Sequence, residues 1–154
     1  MSLAFIRLQQ LISPTLPIGS FTYSQGMEWA HEFAWIKNTN DVHLWIESLM
    51  NSAMLYIDLP LLHYLYKAYQ ENDEKSFFYF SELSLACRES YELRLEEQQR
   101  ARALVSVLEK LPNTKSWPHF TTWQVALMQS QLACFAMACS AWNISLDQAL
   151  RGYC

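Results

Sequence analysis

Glycine and proline are scarce in this sequence, three and five of 154 residues. A β-sandwich or barrel needs many tight turns, so that scarcity argues against both. Basic charge is also thin: eleven Lys and Arg face fifteen Asp and Glu, a net charge of −4. A nucleic-acid binder would carry a basic surface to meet phosphates. The four cysteines, Cys87, Cys134, Cys139 and Cys154, form no CxxC pair and are too sparse for a disulfide scaffold. They read as free or buried thiols of a cytoplasmic protein. The segment Met1 to Arg7 lacks the basic start, apolar middle and small-residue cleavage site of a signal peptide.

Long apolar runs are missing too. Ser116 to Leu146 contains no Asp, Glu, Lys or Arg, but Thr121, Thr122, Gln124, Gln129, Ser130 and Gln131 interrupt it. What remains falls short of the roughly 20 apolar residues that span a bilayer. The stretch reads instead as a buried central helix, opened by Pro118 and closed by Asn143 in a left-handed cap. Its small residues, among them Ala126, Ala133, Ala136 and Ala138, permit close helix approach. Neither a membrane nor a nucleic acid is expected as a partner.

What is present is apolar and helical. Apolar residues make up 51% of the chain, enough for a core, and eight Tyr, eight Phe and six Trp load it with rings. After a cap at Thr39-Asn40, Val42, Trp45, Ile46, Leu49, Met50, Ala53, Met54 and Ile57 recur with a period of 3.6. Asp58-Leu59-Pro60 should break that helix, with Pro60 in the first turn of the next. There Leu61, Leu62, Leu65, Tyr66 and Tyr69 form the apolar side. Asp73 is the next N-cap. From Glu74 to Leu111 no glycine or proline intervenes, which allows one helix of about 55 Å or two, broken near Ser84 or Ser90. Its charged second half, Arg88 to Arg102, reads as a solvated face with Glu96 and Arg100 paired at i,i+4. Ser145-Leu146-Asp147-Gln148 is a capping box for a short last helix with little to pack against. No stretch alternates with period two. The expected fold is a single all-α domain over residues 1–154, a bundle of about six or seven helices.

Catalytic patterns are thin. Glu28-Trp29-Ala30-His31 has the Glu-x-x-His spacing of di-iron bundles, yet the chain holds no second copy. A metal-binding helical-bundle enzyme using Glu28 and His31 is therefore the alternative reading, and no metal ligand set is assigned. There is no Gly-x-Ser-x-Gly elbow and no phosphate loop. Trp29, Trp35 and Trp45 read as core residues rather than the lining of a ligand sensor.

The unusual segment is Ser13-Pro14-Thr15-Leu16-Pro17-Ile18-Gly19-Ser20-Phe21, continued by Tyr23-Ser24-Gln25-Gly26-Met27-Glu28. The prolines end the first helix, Gly19 allows a turn closed to other residues, and Ser20 can cap the next helix. Gly26 inside a helix costs about 1 kcal/mol. Thr22, Gly26 and Ala30 would share one face, made for close contact with another helix. This segment resembles the hallmark of the UreF family of urease accessory proteins, through Pro17, Gly19, Phe21, Ser24, Gly26 and Glu28. Asp58-Leu59-Pro60, Glu92-Leu93-Arg94 and Gln99 resemble later family positions, and Ala101 stands where members usually carry glycine.

The resemblance implies an all-α, usually dimeric, non-catalytic cytoplasmic protein. Such a protein joins UreD (also called UreH) and the GTPase UreG, modulates the GTPase and assists nickel delivery to apo-urease. It implies no cofactor bound directly, since nickel is handled by the complex. Family members continue past the position of Tyr153-Cys154 with further helices and a tail, so this chain is expected to be a short version. On this reading Gly19, Phe21, Ser24, Gly26 and Glu28 form the expected partner-binding patch. Phe21 is its aromatic anchor, and Glu92 and Arg94 belong to a polar rim.

Overall fold

A computed structural model describes residues 2–19 and 27–154. Among them the chain is helical with no strand, as expected, but its helices are shorter and more numerous than the apolar periodicity suggests.

Helix α1 (Leu3–Leu11) starts at Ser2, whose hydroxyl accepts the Phe5 N–H. Helix α2 (Met27–Glu32) ends where Ala34 adopts a positive φ of 58° and Trp35 N–H reaches back to the Ala30 carbonyl. Asn38, one residue ahead of the expected cap, opens α3 (Thr39–Leu49) by accepting the Asp41 N–H.

The break expected at Asp58-Leu59-Pro60 does not occur. Helix α3 runs into a π-helical stretch, Met50–Asp58, kinked at Ser52 (φ −105°, ψ −113°), and this passes directly into α4 (Leu59–Gln70). Asp58 and Leu59 both keep helical dihedrals, and Pro60 is the second residue of α4. Proline lacks an N–H and strikes the carbonyl four residues back in a regular helix. Here the Leu59 N–H bonds five residues back, to Met54, so the wider turn carries Pro60 without stopping.

Of the two readings for Glu74 to Leu111, the broken one holds. Helix α5 (Glu74–Ala86) is capped by Asp73, and α6 (Tyr91–Glu109) by Ser90, whose hydroxyl accepts the Leu93 N–H. The uncharged segment also divides. Turns come after Pro118, then α7 (Gln124–Gln129), then α8 (Gln131–Ala141), with Ser130 extended between them (φ −133°, ψ 117°). Ser130 is fully buried, and its Oγ lies 2.6 Å from that of Ser84 while accepting the Ala133 N–H. A paired hydroxyl is what makes a helix break tolerable inside a core. Asn143 takes the expected left-handed conformation, φ 55°, and the Ser145–Gln148 capping box opens α9 (Leu146–Tyr153).

Helix α8 lies at the centre: every residue from Leu132 to Cys139 is at most 3% exposed. Its alanines let α4 and α6 approach closely, and α5, α7 and α9 complete the shell. Two tyrosines of α4 tie down the loops around it. Tyr66 donates to the Ile144 carbonyl (2.8 Å) and Tyr69 to that of Pro118 (3.0 Å). Helix α9, expected to lack a neighbour, packs on α1, where Gly152 lies so close to Leu8 that a Cβ would sit 2.8 Å from its Cδ1. Ala101 is fully buried, so a methyl group fits at this helix contact. Among the described residues no helix is long and apolar enough to cross a membrane.

Candidate functional site

Two regions depart from a plain helical core. One is polar and buried. Arg88, in the turn between α5 and α6, places its guanidinium 2.9 Å from Asp58 and 3.3 Å from Glu97. Its side chain is only 14% exposed. The other Glu97 oxygen accepts the Gln131 N–H at the start of α8 (2.8 Å), where the helix dipole favours a carboxylate. Arg94 donates to the Arg88 carbonyl (2.7 Å) and holds the turn from the other side.

Burial alone would lower the Arg88 pKa, but the Glu97 and Asp58 carboxylates outweigh it and the net shift is upward. Burial, followed by the same two carboxylates, pushes the nearby Tyr153 phenol well above its usual range. These charges therefore form a locked joint among the π stretch, α6 and α8. Breaking one member of such a joint costs more than the joint itself contributes.

The charged part of α6 is accordingly not simply a solvated face, because Glu97 is 5% exposed. The signal was present in the sequence. Glu97 stands four residues before Ala101, seven before Leu104 and eleven before Leu108, on the stripe that α6 buries. The Glu96–Arg100 pair forms as expected, at 3.1 Å.

The other region is apolar and exposed. Trp29 stacks near Phe33 and Trp35, with ring centroids 4.4 and 4.8 Å away. All three are exposed, Trp35 at 63%, so Trp29 and Trp35 are not core residues. Trp45 is half-buried. Helix α3 buries none of its residues, and Leu44, Ile46 and Met50 are exposed. An open apolar surface of this kind marks an interaction site more often than a free face.

Of the expected partner-binding residues, Gly19, Glu28, Glu92 and Arg94 lie among the described residues. Gly19 has a φ of 77°, the left-handed turn its lack of a side chain allows. Phe21, Ser24 and Gly26 lie outside the described residues, as do Ser20 and Thr22. Ala30, which was to share a face with Thr22 and Gly26, is fully buried. Glu28 is exposed in the first turn of α2, beside the aromatic cluster. Glu92 is exposed in the first turn of α6, where its own N–H and the Ser90 hydroxyl hold its carboxyl below the usual range. Arg94 is half-buried and spent on the Arg88 carbonyl.

A ring nitrogen of His31, Nδ1, lies 3.1 Å from the Ile36 carbonyl. Among the described residues no three His, Cys, Asp or Glu side chains converge as a metal site. The cysteines carry no disulfide, and burial drives the Cys134 and Cys139 thiols far above their usual pKa. They are inert as nucleophiles.

Comparison with known proteins is decisive for the family. The model of the UreF family matches residues 36–154. The chain belongs to the UreF family. It is 53% identical over 152 residues to a urease accessory protein UreF of Alcanivorax borkumensis, covering 97% of this chain and 66% of the relative. It is 41% identical over 153 residues to one of Pseudomonas putida, covering 98% and 66%. A third, of Blochmanniella pennsylvanica, is 36% identical over 151 residues, covering 96% and 64%. The chain thus spans just under two thirds of the length of these UreF proteins. The family match begins at Ile36, beyond the Pro14–Glu28 motif, and includes the whole of the Asp58–Arg88–Glu97 joint.

Proposed function

We propose that this chain is a non-catalytic urease accessory protein, a scaffold that works with UreD (UreH) and the GTPase UreG in nickel insertion into apo-urease. Its family membership carries the reading. The exposed surface of Trp29, Phe33, Trp35 and α3 supports it, because a scaffold needs apolar area that its own core does not consume.

On this reading the protein itself is a dimer, works in the cytoplasm, modulates the GTPase and holds no nickel of its own. The metal is cargo of the complex. Glu28 and the segment around Gly19 and Phe21 contribute to the docking surface.

The test is a pull-down of purified UreD and UreG on this chain. The expected result is retention of UreD, with UreG retained when UreD is present. Failure to retain either at tens of micromolar, a range that captures even weak transient contacts, would overturn the proposal. Nickel analysis of the purified chain checks the second half. A tightly held ion at one per chain, lost on Glu28→Ala, would contradict it.

A further inference from the structure

Negative charge is concentrated in one part of the chain. Residues 27–49 carry the carboxylates of Glu28, Glu32, Asp41 and Glu47 against one cation, that of Lys37. That segment holds −3 of the net charge of −4, so the rest of the molecule is close to neutral. It also builds the open apolar surface of Trp29, Phe33, Trp35 and α3. The two characters interleave. On α2, Glu28 and Glu32 form a row beside that of Trp29 and Phe33. On α3, Glu47 stands three residues from Leu44 and three from Met50, a neighbour of both on the helix surface. Glu32 and Glu47 are exposed and enter no ion pair among the described residues.

Helix α3 itself calls for a cover. Its eleven residues are fewer than the roughly 12–15 at which an isolated helix becomes stable in water, and it buries none of them. Charge decides what the cover is. Nucleic acid and anionic lipid headgroups would be repelled. A second copy of this chain, meeting face to face about a two-fold axis, would set −3 against −3. A polypeptide that is apolar on one side and basic along its margins meets both characters at once. An amphipathic helix laid against an apolar surface is a common form of such docking.

We propose that α2 and α3 together seat a cationic amphipathic segment of another protein. Its apolar stripe covers Trp29, Phe33, Leu44 and Ile46, and its Lys or Arg side chains answer Glu32 and Glu47. The inference deepens the scaffold reading and rests on it for the source of the segment, a partner protein. What it adds is the chemistry by which that partner is recognised, and the exclusion of a second copy from this face.

The test titrates the unmodified chain with a synthetic amphipathic helix of Leu and Lys and with the same peptide carrying Glu for Lys. The Lys peptide should bind, weaken as salt rises and protect backbone amides of Met27–Leu49 in hydrogen exchange, while the Glu peptide should not. Glu32→Lys combined with Glu47→Lys should weaken the Lys peptide about tenfold and admit the Glu peptide. The comparison of the two peptides on the unmodified chain decides the matter even if the variant folds poorly. The proposal is overturned if the Lys peptide fails to bind below about 1 mM, if both peptides bind alike, or if protection falls elsewhere. It is overturned equally if Met27–Leu49 gains protection when the chain alone is concentrated, or from neutral phosphatidylcholine vesicles. A pull-down separates this inference from the scaffold reading. Retention of UreD or UreG that the double variant leaves unchanged sinks the inference and spares the scaffold, whereas retention of neither sinks the scaffold.

Discussion

Helices α3 and α8 have the same length, eleven residues, and opposite designs. Helix α3 carries a clear apolar stripe and buries nothing. Helix α8 has no polar face and is buried from Gln131 to Cys139. A stripe says that a helix has a face to hide; it does not say against what. A helix apolar all round has only one place to go, the centre of its own domain. The isolated chain is thus a finished core around α8 and an unfinished surface around α2 and α3.

Substitutions can break or sharpen this contrast. The largest effect is expected at the joint that pins the core. Arg88→Met leaves Asp58 and Glu97 buried without their cation and should cost ~3–5 kcal/mol in urea unfolding. Within the core, Leu132→Ala should cost ~2–5 kcal/mol by the lost transfer energy and the cavity left behind.

Alkaline unfolding is the next test. Burial pushes the Tyr69 phenol from 10.0 up to about 12 and raises Tyr66 as well. A group whose folded pKa is raised stabilises below its unfolded pKa and loses that contribution as pH climbs through the folded value. Stability should begin to fall near pH 9.0, where the buried Cys134 and Cys139 thiols would ionise in the unfolded chain, and fall more steeply between 10 and 12 as the tyrosines add to it. Tyr69→Phe, which leaves the ring in place, should flatten that fall.

Removing the cap by Ser90→Ala should cost about 1 kcal/mol, since the α5–α6 break depends on it. On the open face, Ile46→Ala should change stability by no more than ~0.5 kcal/mol. A loss at Ile46 as large as that at Leu132 would mean that α3 is part of the core after all.

The sequence revealed elements better than their joints. The apolar side of α4 was legible residue by residue, since Leu61, Leu62, Leu65, Tyr66 and Tyr69 are all buried. The α9 capping box and the left-handed Asn143 were equally plain, because each depends on residues within one turn. The continuity through Pro60 was not, because it depends on a π turn with no local signature. The break at Ser130 depends on Ser84, forty-six residues away. The joint of Asp58, Arg88 and Glu97 was half visible, in a carboxylate standing on a buried stripe. For the docking surface, motif and family were legible from Gly19 to Glu28, whereas which apolar stripe stays uncovered is a tertiary fact.

The most direct measurement is backbone hydrogen exchange of this chain with and without UreD and UreG. The scaffold account predicts new protection over Met27–Leu49, with amides of α8 unchanged because the core already shields them. Protection confined to other surfaces, or none at saturating partner, would contradict it.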